Sequence, residues 1–150
     1  MFEIVASVLL TAIVAIAAWF VTLFLANPIL KFYHLREDTH AALFYTANVG
    51  SSEPDTARYN EATAELRRLA TRLDALGHTA KFAAIIWFKR RSYDLHKAAQ
   101  GLTGLSNSLD RADGSNAIHR TEIEKALKLP QFYTDESIKK IKMRLDRNAR

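Results

Sequence analysis

One stretch of the chain decides its architecture: residues 4–26 read IVASVLLTAIVAIAAWFVTLFLA and carry no charged side chain. As a helix, this run is about 34 Å long at about 1.5 Å per residue, enough to cross a hydrocarbon core of about 30 Å. A cleaved signal peptide is the alternative, but it needs a basic N-terminal region and an apolar stretch of only about 7–15 residues. This chain begins Met-Phe-Glu. The run therefore predicts a transmembrane anchor over residues 1–27.

The charges outside this run predict its orientation. All 21 basic residues of the 150-residue chain, and every acidic residue except Glu3, follow the run. Lys31 and Arg36 lie just past its C-terminal end, and no Lys or Arg precedes it, so the positive-inside rule predicts a single-pass protein of the cell membrane. Its N-terminus is expected outside and the remainder in the cytoplasm. The absence of cysteine excludes a disulfide scaffold, a thiolate metal site and a cysteine nucleophile.

Small side chains recur along one side of the apolar run, at Ser7, Thr11, Ala15, Ala18 and Thr22. Spacings of three and four residues place them on one ridge, where another membrane helix can approach closely. Alanine-rich membrane helices also produce such ridges by chance. We take Ser7, Thr11 and Ala15 as candidate helix-packing residues.

After the run, Asn27-Pro28 predicts the start of a new or kinked helix, because Asn caps helices and Pro is tolerated in a first turn. Positions spaced by four and three residues give this helix one packing face: 28, 32, 35, 39, 42, 46 and 49. A loop follows over residues 50–55, in which Ser52 and Asp55 are spaced as a capping pair for the next helix.

The clearest periodicity in the chain lies between residues 59 and 76. Apolar side chains recur there in a strict three-four pattern, and Gly77 is the expected C-cap: Tyr59, Ala62, Leu66, Leu69, Leu73 and Leu76. We take Leu66, Leu69 and Leu73 as helix-packing residues, either in an intramolecular core or against a partner.

Residues 82–88, FAAIIWF, are apolar around the whole circumference of a helix, and Lys89, Arg90 and Arg91 follow them. Seven residues cannot span a bilayer. The segment is therefore either buried on all sides or lies in the membrane interface, with Trp87 and the three cations at the level of the headgroups. In the second case Trp87, Lys89, Arg90 and Arg91 are the membrane-interface residues, and anionic lipid is a possible partner.

Three further helices are predicted. Ser92 can cap one with an apolar stripe from Leu95 to Leu109, and Gly101 and Gly104 within it indicate a close crossing by a neighbour. After a loop over residues 110–116, a short helix covers 117–129 up to Pro130, and a last helix covers 135–148 behind Thr134 or Asp135 as its cap. The fold class is all-α, with one N-terminal transmembrane helix followed by a cytoplasmic bundle of four to five helices. Its core covers 28–116, and 117–150 form short helices with a basic tail.

The last helix is basic, and its candidate polyanion-binding residues are Lys139, Lys140, Lys142, Arg144 and Arg147. Two short helices with a basic second member have the outline of a helix-turn-helix. The connection over residues 130–134 is longer than the usual turn, and Lys-rich amphipathic tails suit lipid, other polyanions or an acidic protein surface. Nucleic-acid binding is therefore disfavoured.

Motifs for catalysis are absent from the sequence. It contains no glycine-rich phosphate loop, no Gly-x-Ser-x-Gly and no His-Glu-x-x-His. The pair Glu37 and His40 has a metal-like spacing but occurs once, whereas a di-iron bundle needs two copies and two further glutamates, which favours a solvated polar face. We predict no enzyme and no cofactor. The expected function is that of an assembly, accessory or interaction subunit at the cytoplasmic membrane face, with a protein partner or a second copy. The alternative is a membrane-tethered nucleic-acid or polyanion binder that works through the basic C-terminal helices.

Overall fold

A computed structural model describes residues 2–47, 49, 56–111 and 114–148, and all regular structure in these ranges is helical. A π-helical turn over Thr22–Ala26 joins the first two helices. The α-helices are α1 (Phe2–Val21), α2 (Asn27–Ala47), α3 (Thr56–Thr79), α4 (Phe82–Arg90), α5 (Leu95–Ser108), α6 (Ser115–Leu127) and α7 (Asp135–Asn148). The predicted all-α class is confirmed for the described part of the chain.

The N-terminal helix is long, apolar and unburied. Within the described ranges, one helix is long and apolar enough to cross a membrane; it runs from Glu3 to Ala47 and includes α1, the π turn and α2. Every described side chain of α1 is exposed, and large ones such as Ile4 and Ile16 expose 70% and 63% of their surface. The hydrophobic surface of α1 is therefore not used to build the core.

α2 begins at Asn27, as predicted, but it is not a separate new helix, because it continues directly from the π turn. Asn27 has helical backbone angles, and its N–H donates to the carbonyl oxygen of Thr22, five residues earlier. Pro28 has no N–H to donate to the preceding turn, so an α-helix would lose a bond there. Widening the preceding turn to a π turn accommodates this loss without ending the helix.

Helices α2 and α3 pack side by side and run antiparallel. Asp38 lies next to Arg72, and Tyr45 lies next to Glu61. Residue numbers therefore increase along α2 in the direction in which they decrease along α3. The predicted face of α2 is confirmed, since Phe32, Leu35, Thr39, Ala42 and Thr46 are buried. The predicted face of α3 is confirmed as well; its fully buried residues are Leu66, Leu69 and Leu73.

The close crossing predicted at Gly101 and Gly104 is confirmed, because α6 lies against both. A Cβ atom on Gly101 would come within 2.7 Å of Ile123 Cγ1, and one on Gly104 within 2.6 Å of the His119 ring. Ile123 and Leu127 of α6 are fully buried in the same core as α3 and α5. The core therefore extends beyond the expected boundary at residue 116.

Two predicted caps are corrected by the structure. α3 does not end at Gly77 but continues to Thr79, because Gly77 is accommodated within the helix. Ser92 does not cap α5; the cap is Asp94, whose carboxylate accepts a hydrogen bond from the Lys97 N–H at 2.9 Å. Ser92 has a positive φ of 55° and lies in the turn before it. Ser52 and Asp55 lie outside the described residues.

The last two helices lie close to their predicted positions. α6 ends at Leu127, two residues before the expected end, because Lys128 adopts a left-handed conformation. α7 has the predicted bounds, and Thr134 is its cap, since its hydroxyl oxygen accepts a hydrogen bond from the Ser137 N–H at 3.3 Å. The predicted stripe of α7 faces inward: Ile138 is buried, and Ile141 and Leu145 are half-buried.

Candidate membrane-interface site

The candidate site is the junction between the apolar N-terminal helix and the packed helices. It is built from the π turn, the first turns of α2, and α4. Phe32 of α2 is fully buried at its centre, with ring centroids 5.1 Å from Phe88 and 4.6 Å from Tyr93. Aromatic pairs at such separations add to the stabilisation from burial alone. These contacts hold α4 and the turn that follows it against α2.

Trp87 forms the outer part of this aromatic cluster. Its ring stacks on Tyr93 with centroids 5.8 Å apart, and the guanidinium of Arg91 lies 5.9 Å from the Trp87 ring. Trp87 is half-buried, whereas Lys89, Arg90 and Arg91 are exposed. The structure therefore brings the four predicted interface residues together at one end of α4.

α4 is neither buried on all sides nor wholly exposed. Ala84 and Phe88 are buried against the core, while Phe82 exposes 78% and Ile86 37% of their surface. The helix packs against the π turn, and Lys81 Nζ lies 5.9 Å from the ring of Phe24 within that turn. An exposed apolar face is thus held beside the last turn of the apolar helix. This face is not apparent in the sequence, because a uniformly apolar segment has no periodicity.

The small-residue ridge of α1 is exposed, and its threonine hydroxyls form hydrogen bonds to the backbone. Thr11 Oγ1 donates to the Ser7 carbonyl oxygen at 2.9 Å, and Thr22 Oγ1 donates to the Ala18 carbonyl oxygen at 2.9 Å. Because these two hydroxyls bond to backbone carbonyl groups one turn earlier, the donors of Thr11 and Thr22 need no external partner.

The predicted packing residues of α3 have a different environment. Leu66, Leu69 and Leu73 are fully buried inside this chain. Of the two expectations for this face, the intramolecular core is the one observed, so these leucines are not a surface for a partner.

Two arginines that the sequence did not single out for packing fasten α2 to α6. Arg36 donates from Nε to the Leu127 carbonyl oxygen at 2.9 Å and from Nη2 to the Lys128 carbonyl oxygen at 2.6 Å. It thereby satisfies carbonyl groups at the end of α6. Arg120 of α6 donates in return to the Leu43 carbonyl oxygen near the end of α2, at 3.1 Å.

The predicted polyanion residues are all exposed on α7. Lys139, Lys140, Lys142, Arg144 and Arg147 lie on a helix whose buried contact with the rest is made mainly by Ile138. The connection between α6 and α7 covers residues 128–134, longer than the three- to four-residue turn of a helix-turn-helix.

The polar groups of α3 form ion pairs along its surface. Arg68 donates from Nε and Nη2 to the two carboxylate oxygens of Glu65, each at 2.7 Å. This hydrogen bonding lowers the pKa of Glu65 below its ordinary value, and the same pair raises the pKa of Arg68. Asp74, also on α3, has a carboxylate oxygen 3.2 Å from Nδ1 of His96 on α5.

Across the ranges that the structure describes, no group of three His, Cys, Asp or Glu side chains is arranged to hold a metal ion. The isolated pair at Glu37 and His40 lies on α2, where the His40 ring packs edge-on against Phe44 at 4.9 Å.

Comparisons with protein-family models, with curated proteins and with solved structures found no match for this chain.

Proposed function

We propose that this chain is a non-enzymatic, single-pass protein of the cell membrane whose cytoplasmic helical bundle acts as an assembly or accessory subunit. One observation carries the proposal: every described side chain of α1 is exposed, and none contributes to the core. A fully exposed apolar helix of this length is costly in water and stable in hydrocarbon, at about 25 cal/mol per Å² of apolar area.

The junction supports the same location. The exposed Phe82 and the half-buried Trp87 lie on α4, which packs beside the π turn where the apolar helix ends. Aromatic side chains and cations are typical of the headgroup level. The cations Lys89 and Arg90 form the end of this helix and Arg91 is its C-cap, so α4 is proposed to lie in the cytoplasmic interface.

Insertion and orientation are tested together, because the chain has no cysteine and each introduced thiol is unique. Glu3→Cys and Gln131→Cys both place a thiol at an exposed position. In intact cells, a membrane-impermeant maleimide is expected to label the first variant and to reach the second only after the membrane is opened. Extraction of the protein by alkaline carbonate overturns the proposal. Labelling of Gln131→Cys but not of Glu3→Cys in intact cells overturns it as well.

Assembly is proposed to use the ridge of α1, since the leucines of α3 are occupied within the chain. Ala15→Leu enlarges the ridge, whereas Ala17→Leu makes the same change about 200° around the helix. Crosslinking in native membranes should capture a second copy or a stoichiometric partner, and only Ala15→Leu should reduce this capture. A monomer without partners, or equal effects of the two variants, contradicts the assembly role.

The second candidate function is polyanion binding by α7, favoured by the exposure of its five cations. Replacing Lys140 and Arg144 by Gln should then weaken binding of the membrane-inserted protein to heparin in a salt-dependent manner. Replacing Lys97 and Arg67 by Gln, with the same change of charge, is the control. Equal loss in both variants would show general electrostatics and exclude a site on α7.

A further inference from the structure

A groove separates the first turns of α2 from the last turns of α3. It encloses about 770 Å³ and begins at Leu23 in the π turn. Leu35, Leu76 and Ala80 are buried beside it and give it an apolar floor. The antiparallel arrangement of the two helices brings the C-terminal end of α3 to this level.

The rim of the groove is basic. Lys31, His34, Arg72 and Lys81 line it, all of them exposed, and none of the described residues lining it carries a carboxylate. Arg72 is partly neutralised, since its Nη1 lies 3.5 Å from an oxygen of Asp38. Lys31 and Lys81 have no carboxylate within 4.0 Å among the residues that the structure describes. An anion in the groove would therefore meet uncompensated positive charge.

The position of the groove selects the kind of anion. Lys81 reaches toward Phe24 of the π turn, so the basic rim lies beside the last turn of the apolar helix. A groove with an apolar floor and a basic rim at that height matches a molecule with an acyl chain and a charged headgroup. Cations close to a membrane surface attract anionic lipid by about 1 kcal/mol each.

We propose that this groove binds the phosphate headgroup of an anionic phospholipid, with Lys31 and Lys81 as its principal ligands. The inference rests on the proposed membrane insertion and adds a specific lipid site to it. This site is distinct from the cations at the far end of α4, which would meet the membrane surface without enclosing a headgroup.

The test uses the full chain reconstituted in phosphatidylcholine vesicles with or without phosphatidylglycerol. Flotation first establishes insertion, so a chain that fails to float contradicts the proposed function itself. Native mass spectrometry of the inserted protein then counts retained lipid. We expect about one retained phosphatidylglycerol in preference to phosphatidylcholine; insertion without such a preference overturns the lipid site alone.

The variant Lys31→Gln/Lys81→Gln removes two charges from the rim, and Arg67→Gln/Lys97→Gln removes two exposed charges outside the groove and outside α7. Each cation is expected to contribute about fivefold to the affinity for phosphatidylglycerol. Retention of this lipid should therefore fall about thirtyfold in the first variant and stay unchanged in the second. Equal losses would show general electrostatic attraction and overturn the site.

A phosphate group in the groove could come from a lipid headgroup or from free phosphate in solution, and competition with inorganic phosphate distinguishes these two sources. If millimolar phosphate displaces the retained lipid, or binds the detergent-solubilised protein with equal dependence on Lys31 and Lys81, the groove is a soluble-phosphate site and the assignment to lipid is wrong. Persistence of the lipid at that concentration supports the proposal.

Discussion

Arg120 Nε donates a hydrogen bond to Glu124 Oε1 at 2.9 Å, and the two side chains are 9% and 2% exposed. The other carboxylate oxygen of Glu124 accepts from the Phe132 N–H at 3.0 Å. Arg120 also donates to the Leu43 carbonyl oxygen and lies 4.5 Å from the centre of the Phe132 ring. One buried ion pair thus ties α2, α6 and the connection to α7 together.

Removing Arg120 should destabilise the packed helices strongly. Arg120→Leu leaves the Glu124 carboxylate buried without its partner, which typically costs about 3–5 kcal/mol. The free energy of unfolding, measured by urea denaturation in mild detergent with circular dichroism, is expected to fall by that amount. Arg68→Leu breaks an exposed pair of the same charge type and is expected to lower the free energy of unfolding by no more than about 1 kcal/mol. Equal effects of the two variants would contradict the structural role of the buried pair.

Gly101 and Gly77, which both lie within helices, should respond to alanine in opposite directions. Gly101→Ala places a Cβ atom within 2.7 Å of Ile123 and 3.3 Å of the His119 carbonyl oxygen, so α5 and α6 must separate, at about 1–3 kcal/mol. At Gly77 the nearest atom is Leu95 Cβ at 3.7 Å, an ordinary contact. Gly77→Ala should therefore stabilise α3 by about 0.5–1 kcal/mol. The same denaturation measurement decides; destabilisation by both variants would show that α3 does not accept a side chain at position 77.

The cap of α5 gives a third prediction. Asp94→Ala removes the acceptor for the Lys97 N–H and should cost about 1 kcal/mol of unfolding free energy. Ser92→Ala, two residues earlier, removes no capping bond and should change stability less. A larger loss of unfolding free energy in Ser92→Ala than in Asp94→Ala would show that Ser92 is the cap, as the sequence predicted. Hydrogen exchange at the first turn of α5 provides a local readout, because its amides should lose protection only in Asp94→Ala.

The pair of Glu65 and Arg68 predicts a pH dependence. Hydrogen bonds from Arg68 lower the pKa of Glu65 in the folded chain. A lowered carboxyl pKa stabilises the fold above the unfolded value and loses this contribution as the pH falls through the folded value. A carbon-detected NMR titration should find the Glu65 midpoint below that of an ordinary glutamate. Arg68→Gln should raise the midpoint; an unchanged midpoint would mean that the bidentate contact is not maintained in solution.

Local patterns in the sequence determined much of this protein. The apolar run predicted α1, and the three-four spacing predicted the buried faces of α2 and α3, because helical periodicity depends only on residues within the same helix. The bounds of α7 and the glycine crossing between α5 and α6 follow from equally local signals. The orientation in the membrane and the assembly role remain predictions.

The tertiary structure decided which polar groups are internal. As an i,i+4 pair, Arg120 and Glu124 resemble a solvated surface pair in sequence, yet they are buried because the Leu43 carbonyl, 77 residues from Arg120, accepts from the guanidinium. Arg36 similarly finds its acceptors 91 and 92 residues away. The sequence also did not determine which face of α4 is buried, since a uniformly apolar helix has no periodicity. The helix acquires a buried face only when Phe32 packs against it. Periodicity is a property of one segment, whereas burial of a charge or an aromatic ring depends on neighbours that only the folded chain brings together.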